Sequence, residues 1–234
     1  MTYDEFLSGI GEYKVLFEKG LKKQANKLLF KFAEDFKANV GEAEADEILF
    51  RFCREYLDEK CLPFADKDLP FQITELLNDY ISRESEKNKM PHLRWAFQLF
   101  GKYRNPHDPN NEHDPLASLK KAYYHPECDQ LTAELYFNKQ IEWLDWGAHH
   151  FPDCCIIARD SYISTVEEAE KILKEKKIKP ELTSNFRYYV TLYKLFYEWS
   201  DGGRKEDFAE LCEKAGLEFH TVKAFYYKKT GGQK

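Results

Sequence analysis

The sequence predicts an all-α fold, and three observations support this prediction. Apolar residues recur three or four positions apart through most of the 234 residues, which is the spacing that places them on one face of a helix. Helix-start patterns stand where these runs begin, as in Thr2-x-x-Glu5, a capping box. No stretch of useful length alternates apolar and polar residues as a strand does. We therefore expect antiparallel helix pairs stacked around a central helix.

Three amphipathic helices are predicted in the first part of the chain. The first begins at the capping box and ends near Gly20, and the second covers residues 25–36 and ends near Gly41. The third covers residues 45–57 and ends before Pro63. Because short turns join these helices, we expect them to pack as antiparallel neighbours.

Three further helices are predicted before the centre of the chain. A fourth helix covers residues 71–81, and the charged run 83–89 that follows is predicted to be a solvated linker. Pro91 stands in the first turn of a fifth helix, where proline is tolerated. Residues 104–115 are too rich in Pro, Asn and Asp for regular structure, so they are predicted to be a loop before a sixth helix at 116–124.

The predicted central helix covers residues 129–151 and is closed by Pro152. Its apolar residues, which include Trp143 and Leu144 on one broad arc, cover so much of its circumference that it must pack on several sides. A narrow polar line recurs at three- or four-residue spacing and therefore shares one face. We expect this line, with Trp146 and His150 beside it, to contact a partner; its members are Glu134, Asn138, Glu142, Asp145 and His149.

The C-terminal part predicts more helices after a short apolar run at 154–158. Ser164 and Glu167 suggest the start of a helix over residues 165–177, and Pro180 opens an aromatic helix that ends at a glycine pair. Two final helices are predicted at residues 206–215 and 221–227. We divide the chain into three consecutive segments of one continuous structure: 1–90, 91–177 and 178–234.

The composition limits the classes of function. The net charge is -6 and the pI is about 5.7, so only a local basic patch could attract nucleic acid or an anionic membrane. No segment approaches the ~20 consecutive apolar residues that a membrane span needs, and we expect no membrane as a partner. Six cysteines occur in a sequence whose start lacks export features, which favours reduced thiols and a cytoplasmic location.

Residues 95–137 resemble a degenerate tetratricopeptide unit. WAFQLFGKY is similar to its first helix, with Gly101 at the close-packing position, and ASLKKAYYHPECDQLTAELYF is similar to the second helix and the entry to the next unit. Ala117 and Ala122 match the small positions between the helices, and Pro126 matches the residue that ends the second one. The spacing departs from the family, because a polar loop interrupts the pair. The resemblance implies a curved solenoid whose concave surface binds another protein.

The segment AHHFPDCC brings together side chains that can bind metals. His149, His150, Cys154 and Cys155 are candidate zinc ligands, but they lack the paired C-x-x-C spacing of a structural site. Adjacent histidines on a helix point about 100° apart, so they do not easily share an ion. We therefore predict a helix end whose cysteines enter the core, with no metal or other cofactor, and keep a metal-dependent hydrolase as an alternative.

The C-terminal sequence DFAELCEKAGLEFHTVKAFYYKK resembles a DNA-binding helix-turn-helix. Cys212 matches the small residue of the first helix, Gly216 the turn glycine, and Val222 the β-branched residue of the second helix. The resemblance implies recognition and phosphate contacts by Phe219, His220, Thr221, Lys223, Lys228 and Lys229. The surrounding acidic residues leave the region close to neutral, which weighs against binding of nucleic acid.

The leading hypothesis is a non-catalytic, cytoplasmic protein that binds another protein. In its acidic helical scaffold, its scattered aromatic residues and its lack of a catalytic motif, the chain resembles bacterial immunity and antitoxin proteins. That resemblance implies a basic toxin domain as the partner, neutralised by surface complementarity. The alternative is a transcriptional regulator that binds DNA through the C-terminal helices.

Overall fold

The computed structural model describes residues 1–62, 69–103 and 114–219. Every long regular element in these ranges is a helix, and no strand occurs in them, so the predicted all-α class is confirmed. No helix in the same ranges is both long enough and apolar enough to cross a membrane.

The chain forms two compact units, residues 1–127 and 128–234. The helices of unit 1 are α1 Tyr3–Glu18, α2 Lys22–Asn39, α3 Glu42–Cys53, α4 Phe71–Glu86, α5 His92–Tyr103 and α6 Pro115–Tyr123, with a π-helical turn, Arg54–Asp58, continuing α3. The helices described in unit 2 are α7 Gln130–Ala148, α8 Arg159–Glu175, α9 Pro180–Asp201 and α10 Phe208–Lys214. The division into segments 1–90, 91–177 and 178–234 stays a prediction.

Aromatic rings form the centre of the unit 1 core. Phe6 of α1 is fully buried, and its ring centroid lies 5.6, 5.2 and 5.5 Å from those of Phe32, Phe36 and Phe52. Tilted and edge-on ring pairs at these distances add to the free energy gained by burying their area. Helices α1, α2 and α3 therefore meet around one side chain, and their antiparallel arrangement stays a prediction.

The start of α1 is the predicted capping box. The Thr2 hydroxyl accepts a hydrogen bond from the backbone N–H of Glu5 at 3.3 Å, and the Glu5 carboxylate accepts one from the Thr2 N–H at 2.6 Å. Pro180 likewise occupies the first turn of α9, as predicted. Both signals are local, which is why the sequence alone reveals them.

The predicted solvated linker at residues 83–89 is wrong. Helix α4 continues to Glu86, and Glu84 is buried among three cations, with Lys87 Nζ at 2.7 Å and Lys89 and Arg83 on the same carboxylate. Hydrogen bonds from Lys87, Lys89 and Arg83 lower the pKa of Glu84 to about 2. A charge-rich sequence predicts a solvated loop, but here the three cations neutralise a carboxylate that the fold buries.

Helix α5 is anchored to the π-helical turn after α3 by a half-buried carboxylate. Asp58, in the π-helical turn, accepts hydrogen bonds from Arg94 at 2.5 Å and from the indole N–H of Trp95 at 3.0 Å. Both of these α5 side chains are buried. A charged pair in such surroundings needs the additional indole donor to offset the loss of water.

The fifth and sixth helices pack together, as the tetratricopeptide resemblance implies. Gly101 faces the first residue of α6, since a Cβ at this position would lie 3.9 Å from Cβ of Pro115. Ala122 is buried, whereas Ala117 is exposed and does not fill the inter-helix position expected of it. The helix pair is therefore present, and its membership of a repeat stays a prediction.

Helix α7 is the central helix of unit 2, because it packs against both α8 and α9. Its buried face includes Ala133, Phe137, Ile141 and Leu144. Unit 1 has its own core. The predicted central role of residues 129–151 therefore applies within unit 2.

Tyr193 of α9 packs closely against α7 at Gly147. The Tyr193 hydroxyl donates a hydrogen bond to the carbonyl oxygen of Leu144 at 2.8 Å and passes directly over Gly147. A Cβ on Gly147 would overlap this hydroxyl and would stand 2.7 Å from Cγ1 of Ile157. Only glycine leaves room for Tyr193 to reach the α7 backbone.

Helix α8 begins earlier than predicted. Ala158 is its N-cap residue, and Ser164 lies inside the helix, where its hydroxyl donates to the carbonyl oxygen of Ser161 at 3.0 Å. The Ser164 and Glu167 pattern is therefore not a cap, because a serine hydroxyl can also bond back to the preceding turn. The apolar run 154–158 is a non-helical connection that buries Ile157.

We expect Gly147→Ala to lower the free energy of unfolding by about 1–3 kcal/mol, because Tyr193 and Ile157 are buried and have little freedom to move away. Gly11→Ala is the matched control: Gly11 is also inside a helix, but a Cβ there meets nothing within 4 Å. The control should gain about 0.5–1 kcal/mol. The free energies of unfolding are measured by urea titration followed by circular dichroism. Equal changes for the two variants would show that Tyr193 and Ile157 do not exclude a side chain at position 147.

We expect the stability of unit 1 to fall as the pH is lowered from about 6.5 to about 4. His92 is buried, its Nε2 lies 2.9 Å from the Tyr80 hydroxyl, and burial lowers its pKa from 6.5 to about 4. Between these two pH values the unfolded chain binds a proton at His92 that the folded chain does not bind. The free energy of unfolding therefore falls by about 1–3 kcal/mol.

The variant His92→Gln isolates this contribution. Glutamine can still form a hydrogen bond to Tyr80 but does not titrate, so the variant should be less sensitive to pH than the wild type between those two values. The measurement is the free energy of unfolding at several pH values. Parallel curves for the two proteins would contradict the assignment.

Candidate functional site

The side of α7 opposite its buried face forms an exposed surface, which we call the α7 face. Its exposed residues are Glu142, Trp143, Asp145, Trp146, His149 and His150, and the half-buried Asn138 and Lys139 lie at its edge. Helices α8 and α9 flank α7 and cover its other side. The α7 face therefore presents side chains from an element that is held rigidly by its neighbours.

Two tryptophans form the apolar centre of the α7 face. Trp143 and Trp146 are 44% and 50% exposed, and their rings are stacked with centroids 5.1 Å apart and planes inclined by 28°. The Trp143 indole N–H also donates to the Ser161 hydroxyl on α8 at 3.2 Å. The stack and this hydrogen bond hold two large rings at the surface in a defined orientation.

The predicted burial of Trp143 is wrong. On a helix, Trp143 lies about 100° from the exposed Glu142 and about 100° from the buried Leu144, so periodicity leaves its environment undecided. The structure places it beside α8 with nearly half of its surface in water. Sequence reasoning placed it in the core because tryptophan is usually highly buried.

Carboxylates and an ammonium surround the tryptophans. Glu142 accepts a hydrogen bond from Asn138 at 2.7 Å and forms an ion pair with Lys139. Asp145 accepts a hydrogen bond from the Tyr189 hydroxyl of α9 at 2.6 Å. Burial and this hydrogen bond raise the pKa of Tyr189, so the phenol remains a donor that orients the carboxylate.

Glu134 does not belong to this surface, contrary to the prediction. It is buried and forms an ion pair with Lys179 at 2.7 Å and a hydrogen bond with Gln130 at 2.9 Å. Burial raises the pKa of Glu134, but these two donors outweigh it and the pKa lies below its usual value. Glu134 therefore joins α7 to the start of α9 and is not available to a partner.

The His and Cys residues at the end of α7 are not arranged around a common point. The rings of His149 and His150 meet edge to face with centroids 5.2 Å apart. Cys154 is exposed, whereas the thiol of Cys155 is half-buried and contacts the carbonyl oxygen of Ile157 at 3.2 Å. In the ranges that the structure describes, no three His, Cys, Asp or Glu side chains are grouped as metal ligands.

Only the first half of the helix-turn-helix resemblance lies within the described residues. Cys212 is buried on α10, Gly216 has the positive φ of 69° expected of a turn glycine, and Phe219 packs on Phe208 at 5.0 Å. The other residues that the resemblance assigns to DNA contacts lie outside the described residues: His220, Thr221, Lys223, Lys228 and Lys229.

Two neighbouring residues of α7 give a direct test of this geometry. Leu144 is fully buried, so Leu144→Ala should cost about 2–5 kcal/mol of stability. Trp143→Ala removes a larger side chain that is 44% exposed, and it should cost about 1 kcal/mol or less. Denaturant titrations of both variants check the order; a larger loss for Trp143→Ala would mean that the ring is buried.

Comparison of the chain with protein-family models, with curated proteins and with solved structures gives no match.

Proposed function

We propose that this protein binds another protein, and that the α7 face is its contact surface. The observation that carries the proposal is the stacked pair of Trp143 and Trp146 on the outside of the central helix of unit 2. Tryptophan is enriched among the residues that contribute most to the affinity of protein complexes. The exposed parts of the two rings are in contact with water, and a partner that covers them removes this apolar area from water.

The rigidity of the pair strengthens this assignment. The rings are already stacked, and Trp143 is hydrogen-bonded to Ser161, so little conformational freedom remains to be lost on binding. Asp145 is similarly held by Tyr189. A surface that is ordered before the partner arrives retains more of its contact energy as affinity.

The charges on the α7 face favour a basic partner. Glu142 and Asp145 flank the tryptophans, and the whole chain carries a net charge of -6. A lysine or arginine from the partner can pack over an indole ring and reach either carboxylate. A basic toxin domain, neutralised by an immunity or antitoxin protein, is the partner class that this chemistry suits.

Binding of DNA through the C-terminal residues is the second candidate function. It is favoured by the short helix α10 and by the positive φ of Gly216, which match the first helix and the turn of the motif. This candidate predicts retention on duplex DNA that weakens with salt and is lost in the double variant Lys223→Glu, Lys228→Glu.

Affinity capture with paired variants tests the proposal. The full chain and the double variant Trp143→Ala, Trp146→Ala are each used to capture proteins from the source cell, and bound proteins are quantified by mass spectrometry. A partner of the α7 face should be depleted with the variant by about 30-fold or more, the effect of losing hot-spot residues. Glu142→Ala should weaken the same partner, most strongly at low salt.

Tyr124→Ala is the matched control for this capture. Tyr124 is an aromatic residue of unit 1 that is 48% exposed, so the variant removes a comparable ring from another surface. It should capture the same partner as the wild type. Equal recovery of every captured protein by the wild type and the tryptophan variant would overturn the proposal.

A further inference from the structure

A second surface, on unit 1, combines lysines with exposed apolar residues. Residues 19–33, between Glu18 and Glu34, contain five lysines and no Asp or Glu, although the whole chain is acidic. The segment includes the turn between α1 and α2 and most of the outer face of α2. We call this surface the hairpin patch; it consists of Phe17, Lys19, Leu21, Lys22, Lys23, Lys27, Phe30 and Lys31.

The spacing on α2 places the lysines of this helix around an outward-facing ring. Lys23, Lys27, Phe30 and Lys31 recur three or four residues apart, so they share one face of the helix, and all four are exposed. The opposite face is buried in the unit 1 core and consists of Ala25, Leu29, Ala33 and Phe36. Packing of α2 therefore directs a face into solvent that is basic from Lys23 to Lys31 and ends at the exposed Glu34.

Apolar side chains protrude within this basic surface. Phe30 is 58% exposed, and Phe17 and Leu21 at the turn are each 40% exposed. The ammonium of Lys22 lies 5.3 Å from the ring centroid of Phe17. Each exposed apolar residue of the hairpin patch thus has a lysine at most three positions away in the sequence.

The lysines of the hairpin patch form no ion pairs among the described residues. Lys37, further along α2, shows the contrast, since it pairs with Asp79 at 3.6 Å. Unpaired ammonium groups beside exposed apolar side chains are the two features by which peripheral proteins bind a lipid surface. Each lysine near an anionic bilayer strengthens binding about fivefold, and apolar side chains add to this by entering the interface.

We propose that the hairpin patch docks on the surface of a bilayer that contains anionic lipids. The lysines meet the headgroup phosphates and carboxylates, while Phe30, Phe17 and Leu21 enter the boundary of the acyl chains. A lipid surface fits better than a nucleic acid, because Leu21 has no apolar counterpart on a phosphate backbone. The patch also has no arginine, the residue that most often makes specific contacts with bases.

Vesicle co-sedimentation of the full chain tests this proposal. The wild type should bind vesicles of phosphatidylcholine with phosphatidylserine and should not bind vesicles of phosphatidylcholine alone. The double variant Lys23→Gln, Lys27→Gln should bind about 30-fold more weakly, since two lysines are lost. Phe30→Ser should weaken binding about tenfold, and by a similar factor at each salt concentration at which the wild type still binds, since its contribution is apolar.

A matched control is available within the same unit. Lys120 and Lys121 are exposed on α6, so the double variant Lys120→Gln, Lys121→Gln removes the same charge and should bind vesicles like the wild type. Three results would each overturn the proposal: no binding of the wild type to the anionic vesicles, equal weakening by the control variant, or binding to duplex DNA that is tighter than binding to vesicles and is weakened by the double variant Lys23→Gln, Lys27→Gln. None of these results concerns the α7 face, so the two proposals are tested separately.

Discussion

The close contact between α7 and α9 at Gly147 determines how the central helix of unit 2 is oriented. The Tyr193 hydroxyl reaches the carbonyl oxygen of Leu144 only because no side chain stands at position 147. This contact and the burial of Leu144 fix the rotation of α7 about its own axis. Since the helix is rigid, the same rotation determines that Trp143 and Trp146 face the solvent.

The charged side chains of this protein lie in three different environments. Glu84 is buried and is neutralised by the cations around it, which lower its pKa to about 2. Glu142 and Asp145 stay at the surface, each with a local hydrogen-bond donor. The lysines of the hairpin patch are exposed and form no ion pair in the described part of the chain. Carboxylates on the α7 face and lysines on the hairpin patch thus suit partners of opposite charge.

Signals that act within one or two helical turns were readable from the sequence. The capping box at Thr2 and the proline at the start of α9 depend only on nearby backbone groups, and both are confirmed. The start of α8 was misplaced because Ser164 fits a cap pattern but bonds back to Ser161 inside the helix. Residues 83–89 were misread because the burial of Glu84 depends on the packing of α4 and not on local composition.

The candidate site was only partly predictable for the same reason. The polar line on α7 correctly marked Glu142, Asp145 and His149 as exposed, since the helical period alone relates them. It included Glu134, which is buried beside Lys179, a residue 45 positions later in the chain. The sequence also predicted Trp143 to be in the core. A residue at the edge of an apolar arc is exposed or buried according to where the neighbouring helix lies, which the helical period does not determine.

The amino-acid sequence by itself determined the helical class, the approximate order of the helices and most of the polar residues that form the α7 face. These depend on apolar periodicity and on caps, which are properties of neighbouring residues. Only the tertiary structure decided which side chains of α7 are covered by α8 and α9, and which face of α2 carries unpaired lysines into solvent. Burial and ion pairing depend on residues that are distant in the chain, and their positions follow from packing.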